Sequence, residues 1–230
     1  MIQLLIVAAV AAATPAAPAC PDVVTADAAV CRALEAQKNG NEEAAARGFE
    51  EAAQTASDKD PATARMWAAA GNMWLASGQP GKAALDLDRA LALPGLEAEQ
   101  RGEALLDRAR AAEATNDLKT ARAKLNEAGT SISDDPFYWY FSAALAIREG
   151  DKATAEAAIG KALTLAPSDP AVLFEAGHVA DFAGDDDKAR SYWMRAAEGD
   201  PNGAVGKAAA KALEMLGVTP TVKAEAQPPK

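Results

Sequence analysis

The chain has 230 residues, enough for one sizeable domain or an array of five or six helical hairpins. Hydrophobic residues make up 50% and aromatics only 5%, most of the apolar share being alanine, the best helix former; Val, Ile and Tyr are too sparse for several strands, so an all-α chain is expected. A net charge of −10 argues against a nucleic-acid reader, whose phosphates call for a stripe of Lys and Arg.

In chain order, residues 1–19 carry no charged side chain, and their apolar run from Leu4 to Ala13 is about half the ~20 residues that cross a bilayer. The small residues Ala17-Pro18-Ala19 that follow fit a secretory cleavage site, so 1–19 is expected to be a signal peptide and the mature chain to be periplasmic or secreted. No second apolar segment is present that would hold the mature chain in a membrane, so no membrane span is expected.

Cys20 and Cys31, the only cysteines, stand just beyond that cut, with 20–25 as a lead-in. In an exported chain they are a disulfide candidate that ties the lead-in to the first helix. Two alternatives stay open: an acylated Cys20 anchoring an outer-membrane lipoprotein, against which Ala-Pro-Ala-Cys is a poor lipobox, or two free thiols. Two cysteines and one distant histidine are too few ligands for a metal site.

From Ala26 a helical hairpin recurs. Between Pro136 and Pro201 it is written twice, 34 residues apart: Pro136 returns as Pro170, Trp139 as Leu173, Gly150-Asp151 as Gly184-Asp185, Ile159 as Trp193 and Pro167 as Pro201. An internal period of this length marks stacked units that cannot bury an apolar face alone. Aligning the mid-hairpin turns gives five copies, with Gly40, Gly78, Asn116, Gly150 and Gly184 at the turn. These residue types accept the left-handed conformation that ends a helix. Five residues after each turn stands Ala45, Ala83, Ala121, Ala155 or Ala189. Phe49, Leu87, Leu125, Ile159 and Trp193 follow four further on, and Ala52, Ala90, Ala128, Ala162 and Ala196 three beyond that. The i, i+4, i+7 spacing puts all three on one helix face.

This pattern resembles the tetratricopeptide repeat (TPR) family. Trp67, Ala70-Gly71, Trp74, Ala83, Leu87 and Ala90 match its signature, as do Trp139, Ser142-Ala143, Ala155, Ile159, Ala162 and Pro167. The resemblance covers 26–217 and implies a right-handed α-solenoid of about five hairpins, at 26–60, 64–97, 102–135, 136–169 and 170–203. A capping helix at 204–217 and a disordered tail at 218–230 complete the expected layout. The first turns are spaced by 38 residues, which predicts longer connections near Ser57–Pro61 and Pro94–Gln100. The family's chaperone clamp is not expected, because Val30 and Leu34 stand where its first Lys and Asn belong.

No catalytic constellation is legible. His178 is the only histidine, and no phosphate-cradling glycine loop or nucleophile elbow is present, so neither an enzyme nor a cofactor is expected. Asp185-Asp186-Asp187 sits at a hairpin turn, where N-terminal capping is expected of it. The resemblance instead implies a protein or peptide partner in the concave groove of the superhelix. The family's groove positions fall here on Arg65, Asn72, Arg110, Phe137, Tyr140, Phe141, Arg148, Phe174, His178 and Phe182. Tyr140, Phe141, Phe174 and Phe182 are either a peptide-docking patch with the arginines along the channel, or packing that closes the superhelix end. The expected function is an adaptor in the bacterial envelope. The alternative is a structural subunit of an envelope assembly such as a secretion, export or cell-division complex.

Overall fold

The computed structural model describes residues 20–217, and the proposed signal peptide and the tail beyond Gly217 lie outside them. Eleven α-helices and no strand are found among the described residues. They run α1 (Ala26–Lys38), α2 (Glu42–Thr55), α3 (Pro61–Ala76), α4 (Pro80–Ala92), α5 (Ala98–Ala114) and α6 (Leu118–Ile132). Then come α7 (Pro136–Glu149), α8 (Lys152–Leu165), α9 (Pro170–Ala183), α10 (Asp186–Gly199) and α11 (Ala204–Met215). Each odd helix to α9 pairs with the next as an antiparallel hairpin, each hairpin packs on its successor, and α11 covers α10 and α9.

Local chemistry sets the boundaries. Asp60, Asp135 and Asp169 cap α3, α7 and α9, each followed by a proline at the first helical position, where the missing N–H costs nothing. The second helices α2, α6, α8 and α10 start at Asn41, Asp117, Asp151 and Asp185, whose side chains accept a backbone N–H three residues on. The capping expected of the aspartate triplet thus falls to Asp185. Every hairpin turn has its left-handed residue where the sequence places it: φ is 69° at Gly40, 73° at Gly78, 63° at Asn116, 74° at Gly150 and 81° at Gly184.

The core is a seam of small residues against large ones. All fifteen alanine and bulky positions aligned above are buried, the alanines completely and Phe49, the most exposed of the rest, to within 7%. The first helices answer with small residues of their own. A methyl group added at Gly71 would lie 2.5 Å from Leu87, and one at Gly177 2.2 Å from the Trp193 indole nitrogen. Trp193 is locked in that notch by its N–H, which donates to the Phe174 carbonyl at 3.0 Å. Between the third and fourth hairpins the relation recurs, with Tyr138 seated on Gly129.

The extra residues of the 38-residue spacing are distributed differently from the sequence expectation. α3 begins at Pro61 and α5 at Ala98, three and four residues ahead of the predicted repeat starts. These helices have 16 and 17 residues against 14 for α7 and α9, so much of the insertion is helix and less of it is loop. The connection before α5 folds onto the start of α3: Gly95 has φ 113°, and a side chain there would meet the Pro61 carbonyl at 2.5 Å.

At the leading end Cys20 is joined to Cys31 by a disulfide. Arg32 holds the same segment, donating to the carbonyls of Pro21 and Val23 at 3.2 and 3.3 Å and to Glu51 of α2 at 2.8 Å. In the second hairpin Asp86 is 1% exposed and accepts from Arg89 at 3.0 Å. Burial pushes its carboxyl up to about 7, helped by a shared hydrogen bond with Glu50 and by that group's charge. Glu50 in turn accepts the Trp74 indole N–H at 2.9 Å.

The notch at Gly177 generates a direct expectation. Gly177→Ala improves helix propensity by about 1 kcal/mol, yet its methyl group collides with a buried, hydrogen-bonded indole. A net loss of roughly 1–3 kcal/mol in urea unfolding is expected. Unchanged or raised stability would show that the notch does not constrain Trp193.

Candidate functional site

The first helices of the leading three hairpins leave a groove of about 470 Å³ open between them. α3 supplies its floor with Ala68, Ala69 and Met73, the two alanines presenting too little side chain to fill the space. Leu34 of α1, 52% exposed, forms one wall, and Phe49 reaches in from α2. Leu96, from the connection ahead of α5, closes the same space over Ala104. The polar boundary comes from Arg65 and Asn72 of α3 and from Gln100, Glu103 and Asp107 of α5.

A hydrogen-bonded chain crosses the inner face. The Asn72 amide donates to one Asp107 oxygen at 2.7 Å and Arg110 to the other at 2.8 Å. The Arg110 guanidinium then lies 5.6 Å from the Phe137 ring, which packs on Tyr140 at 5.1 Å between centroids. Arg148 turns back from α7, donating to the carbonyl and carboxylate of Glu113 and to Asn116 at 2.9 Å. The guanidinium groups of Arg110 and Arg148 are therefore engaged by carboxylates, Arg110 within α5 and Arg148 across from α7 to α5, where the pair joins two hairpins.

From α7 onward several of the expected groove aromatics are packed against the chain. Phe141 is a correction to the sequence expectation: it is only 8% exposed and belongs to the core that Leu105, Leu125 and Tyr138 build, not to a groove wall. Its position on the fourth first helix turns toward α5 and α6, and an aromatic ring there is drawn into that interface. Tyr140 is half-buried between two core clusters. Phe174 meets His178 edge-on at 4.5 Å, and His178 meets Trp193 at 5.4 Å. Burial depresses the imidazole's pKa, against the opposing charge of Asp181. Phe137 and Phe182 keep 38% and 39% exposure. Of the ten expected groove residues, the open volume thus brings together Arg65 and Asn72.

The residues missed include Leu34, Gln37, Phe49, Met73, Leu96, Gln100 and Ala104. Phe49 and Met73 carry the core signal of their own helices and gave no sign of a second role. Leu96 had one cue, an isolated apolar residue in the connection between Pro94 and Glu97.

Carboxylates gather on the α5 side. A second hollow of about 350 Å³ adjoins the first through Glu103 and is lined by Glu99, Ser131, Ile132, Asp134 and Asp135. Partial burial, then the charges of Glu99, Asp107 and Asp135, raise Glu103 above the usual carboxylate range.

The backbone places this geometry among known folds. The chain has the fold of a TPR solenoid. PilW, a type IV pilus biogenesis factor, superposes with a TM-score of 0.65 at 17% identity, over 79% of this chain and 80% of its own. YrrB, described as a TPR protein with an unusual peptide-binding site, gives 0.56 at 18%, over 81% and 92%. A TPR protein from Parabacteroides merdae gives 0.63 at 14%, over 84% and 73%. No protein-family model matches the chain, nor does any of the curated proteins compared with it. Among the described residues no helix is long and apolar enough to cross a membrane.

At the inner face of α9, Glu175 is 7% exposed, and burial pushes its carboxyl up to about 7. Like Asp86, it keeps in the folded chain a proton that the unfolded chain releases near pH 4. Folding stability is therefore expected to fall as pH rises from about 4.5 to 7, with the loss complete above both values. Glu175→Gln and Asp86→Asn are each expected to flatten that slope and to stabilise the chain by roughly 1–3 kcal/mol at pH 8, with little effect at pH 4. Urea titrations at the two pH values check this. A variant less stable than wild type at pH 8 would mean that the carboxylate form makes contacts worth more than its burial costs.

Proposed function

We propose that this chain is an adaptor that holds a peptide or protein segment across α1, α3 and α5, and that it works in the bacterial envelope. The observation that carries the binding role is the 470 Å³ groove, with an apolar floor and polar edges, between α1, α3 and α5. YrrB, of like fold, supports the reading by its peptide-binding site. The family resemblance and the lack of a legible catalytic group favour binding over catalysis.

The envelope location rests on the cleavage pattern before Cys20 and on the disulfide, which persists in oxidising compartments. Cys20 in that bond has no thiol left to acylate, which favours a soluble mature chain over a lipoprotein. The structural-subunit alternative would use the outer face, where Leu85, Leu165 and Met194 are exposed. They come one to a helix, and single exposed apolar residues are ordinary, so the groove is the better-supported site.

Filling the groove tests the binding role. Ala69→Trp places an indole over the floor, and Leu34→Ser removes an exposed wall while leaving the core untouched. Wild type is expected to capture a partner from envelope extract, with about tenfold less captured by each variant at unchanged helicity and melting temperature. Equal capture by all three would move the interaction to another face. Location is tested separately by mass spectrometry of the chain expressed in its own host with its natural N-terminus. The expected mature form starts at Cys20, with Cys20 bonded to Cys31. An uncleaved cytosolic chain with two free thiols would overturn export.

A further inference from the structure

We infer that the segment held in this groove is basic, with an apolar side chain anchored on the α3 floor and Lys or Arg residues directed toward the junction of α5 and α7. The inference rests on the groove being the binding site and adds the chemistry of its occupant.

The charges along the groove are lopsided. Glu103 belongs to both hollows, and Glu99, Asp134 and Asp135 continue the line beyond it. None of these four makes an ion pair among the described residues, whereas Asp107 is already neutralised by Arg110. Asp135 spends one oxygen on capping α7, through the Phe137 N–H at 2.8 Å. The one cation on the groove lining, Arg65, stands on α3 at the position that corresponds to Glu103 on α5, its guanidinium 3.5 Å from the Gly95 carbonyl. Arg101, on the same helix as Glu103, points away to the Leu91 carbonyl at 3.0 Å and toward Glu127 at 3.6 Å. The groove therefore has an apolar half over α3 and an anionic half over α5, and the carboxylates there already repel one another, as the raised Glu103 registers.

A basic occupant relieves that repulsion, while an acidic one would add to it and leave its own charge beside four unpaired carboxylates. Exposed charge pairs are individually weak, about 0.2–1 kcal/mol each, so the apolar anchor supplies most of the affinity. The carboxylates set sign, register and encounter rate, and their effect is screened by salt.

Phage-displayed random dodecapeptides, panned on the full chain with the disulfide intact at low salt, supply an unbiased probe. Recovered peptides are then synthesised and measured by fluorescence anisotropy. Net positive sequences with at least one large apolar residue are expected. Their affinity should fall about tenfold in Glu99→Lys/Glu103→Lys, and by much less in Glu198→Lys/Glu214→Lys, which alters net charge equally at exposed sites in α10 and α11. Neutral or acidic peptides whose binding is lost in Ala69→Trp would overturn the basic occupant and keep the groove. Equal weakening in both lysine pairs would reduce the preference to the chain's overall negative charge and overturn the inference. Recovery of no peptide, or binding indifferent to both Ala69→Trp and Leu34→Ser, would remove the groove reading and this inference with it.

Discussion

The structure depends on how closely two helices of a hairpin can approach. Fully buried alanines at Ala45, Ala83, Ala121, Ala155 and Ala189 let the backbones come together, and the large residue one turn later fills the space that the close approach defines. Leu87 over Gly71 and Trp193 over Gly177 show how little slack remains, since one added methyl group would overlap the neighbour in either place. An alanine-rich composition is therefore not a neutral background. It is the condition for building a core of ten hairpin helices from so few large side chains, and it makes each of those large side chains expensive to move.

The same economy decides where the groove is. The corresponding inner positions of α3 and α7 are Ala68-Ala69 and Tyr140-Phe141. With aromatics at these positions, the space between neighbouring hairpins is occupied by the chain itself, and Phe141 disappears into the core. With alanines there, the space stays open, and Leu34, Phe49 and Leu96 become its walls. The longer α3 and α5 work in the same direction, presenting extra inner surface in the half of the solenoid where the side chains are small.

This explains which features could be seen in the sequence. Turns at Gly40, Gly78, Asn116, Gly150 and Gly184 were legible because a left-handed residue is a local requirement, met by a few residue types. The seam was legible because its spacing repeats on one helix face. The inner face was not, because whether Phe174 meets a ligand or His178 depends on how successive hairpins are rotated, which no local spacing encodes. The aromatic positions drew attention as surplus apolar surface, whereas in a tightly wound stack large inner side chains fill space and small ones leave it. Phe49 shows the limit most clearly: one ring serves both the seam and the groove, and only its first role has a periodic signature.

Electrostatics divides the two halves again. On α6 and α7 cations are spent inside the protein: Arg148 ties α7 to Glu113 of α5, and Arg122 of α6 reaches Ser142 at 3.2 Å while pairing with Glu149. These bonds join hairpins where the helix contact is thinner, and they leave little charge for a visitor. Around α5, carboxylates outnumber the cations able to reach them, and Glu99, Glu103 and Asp134 are left facing solvent. A stack held together by apolar interdigitation has no need of those charges, and like charges set side by side are a cost to the folded chain. Their placement beside an open apolar floor is understood if something positively charged lies against them.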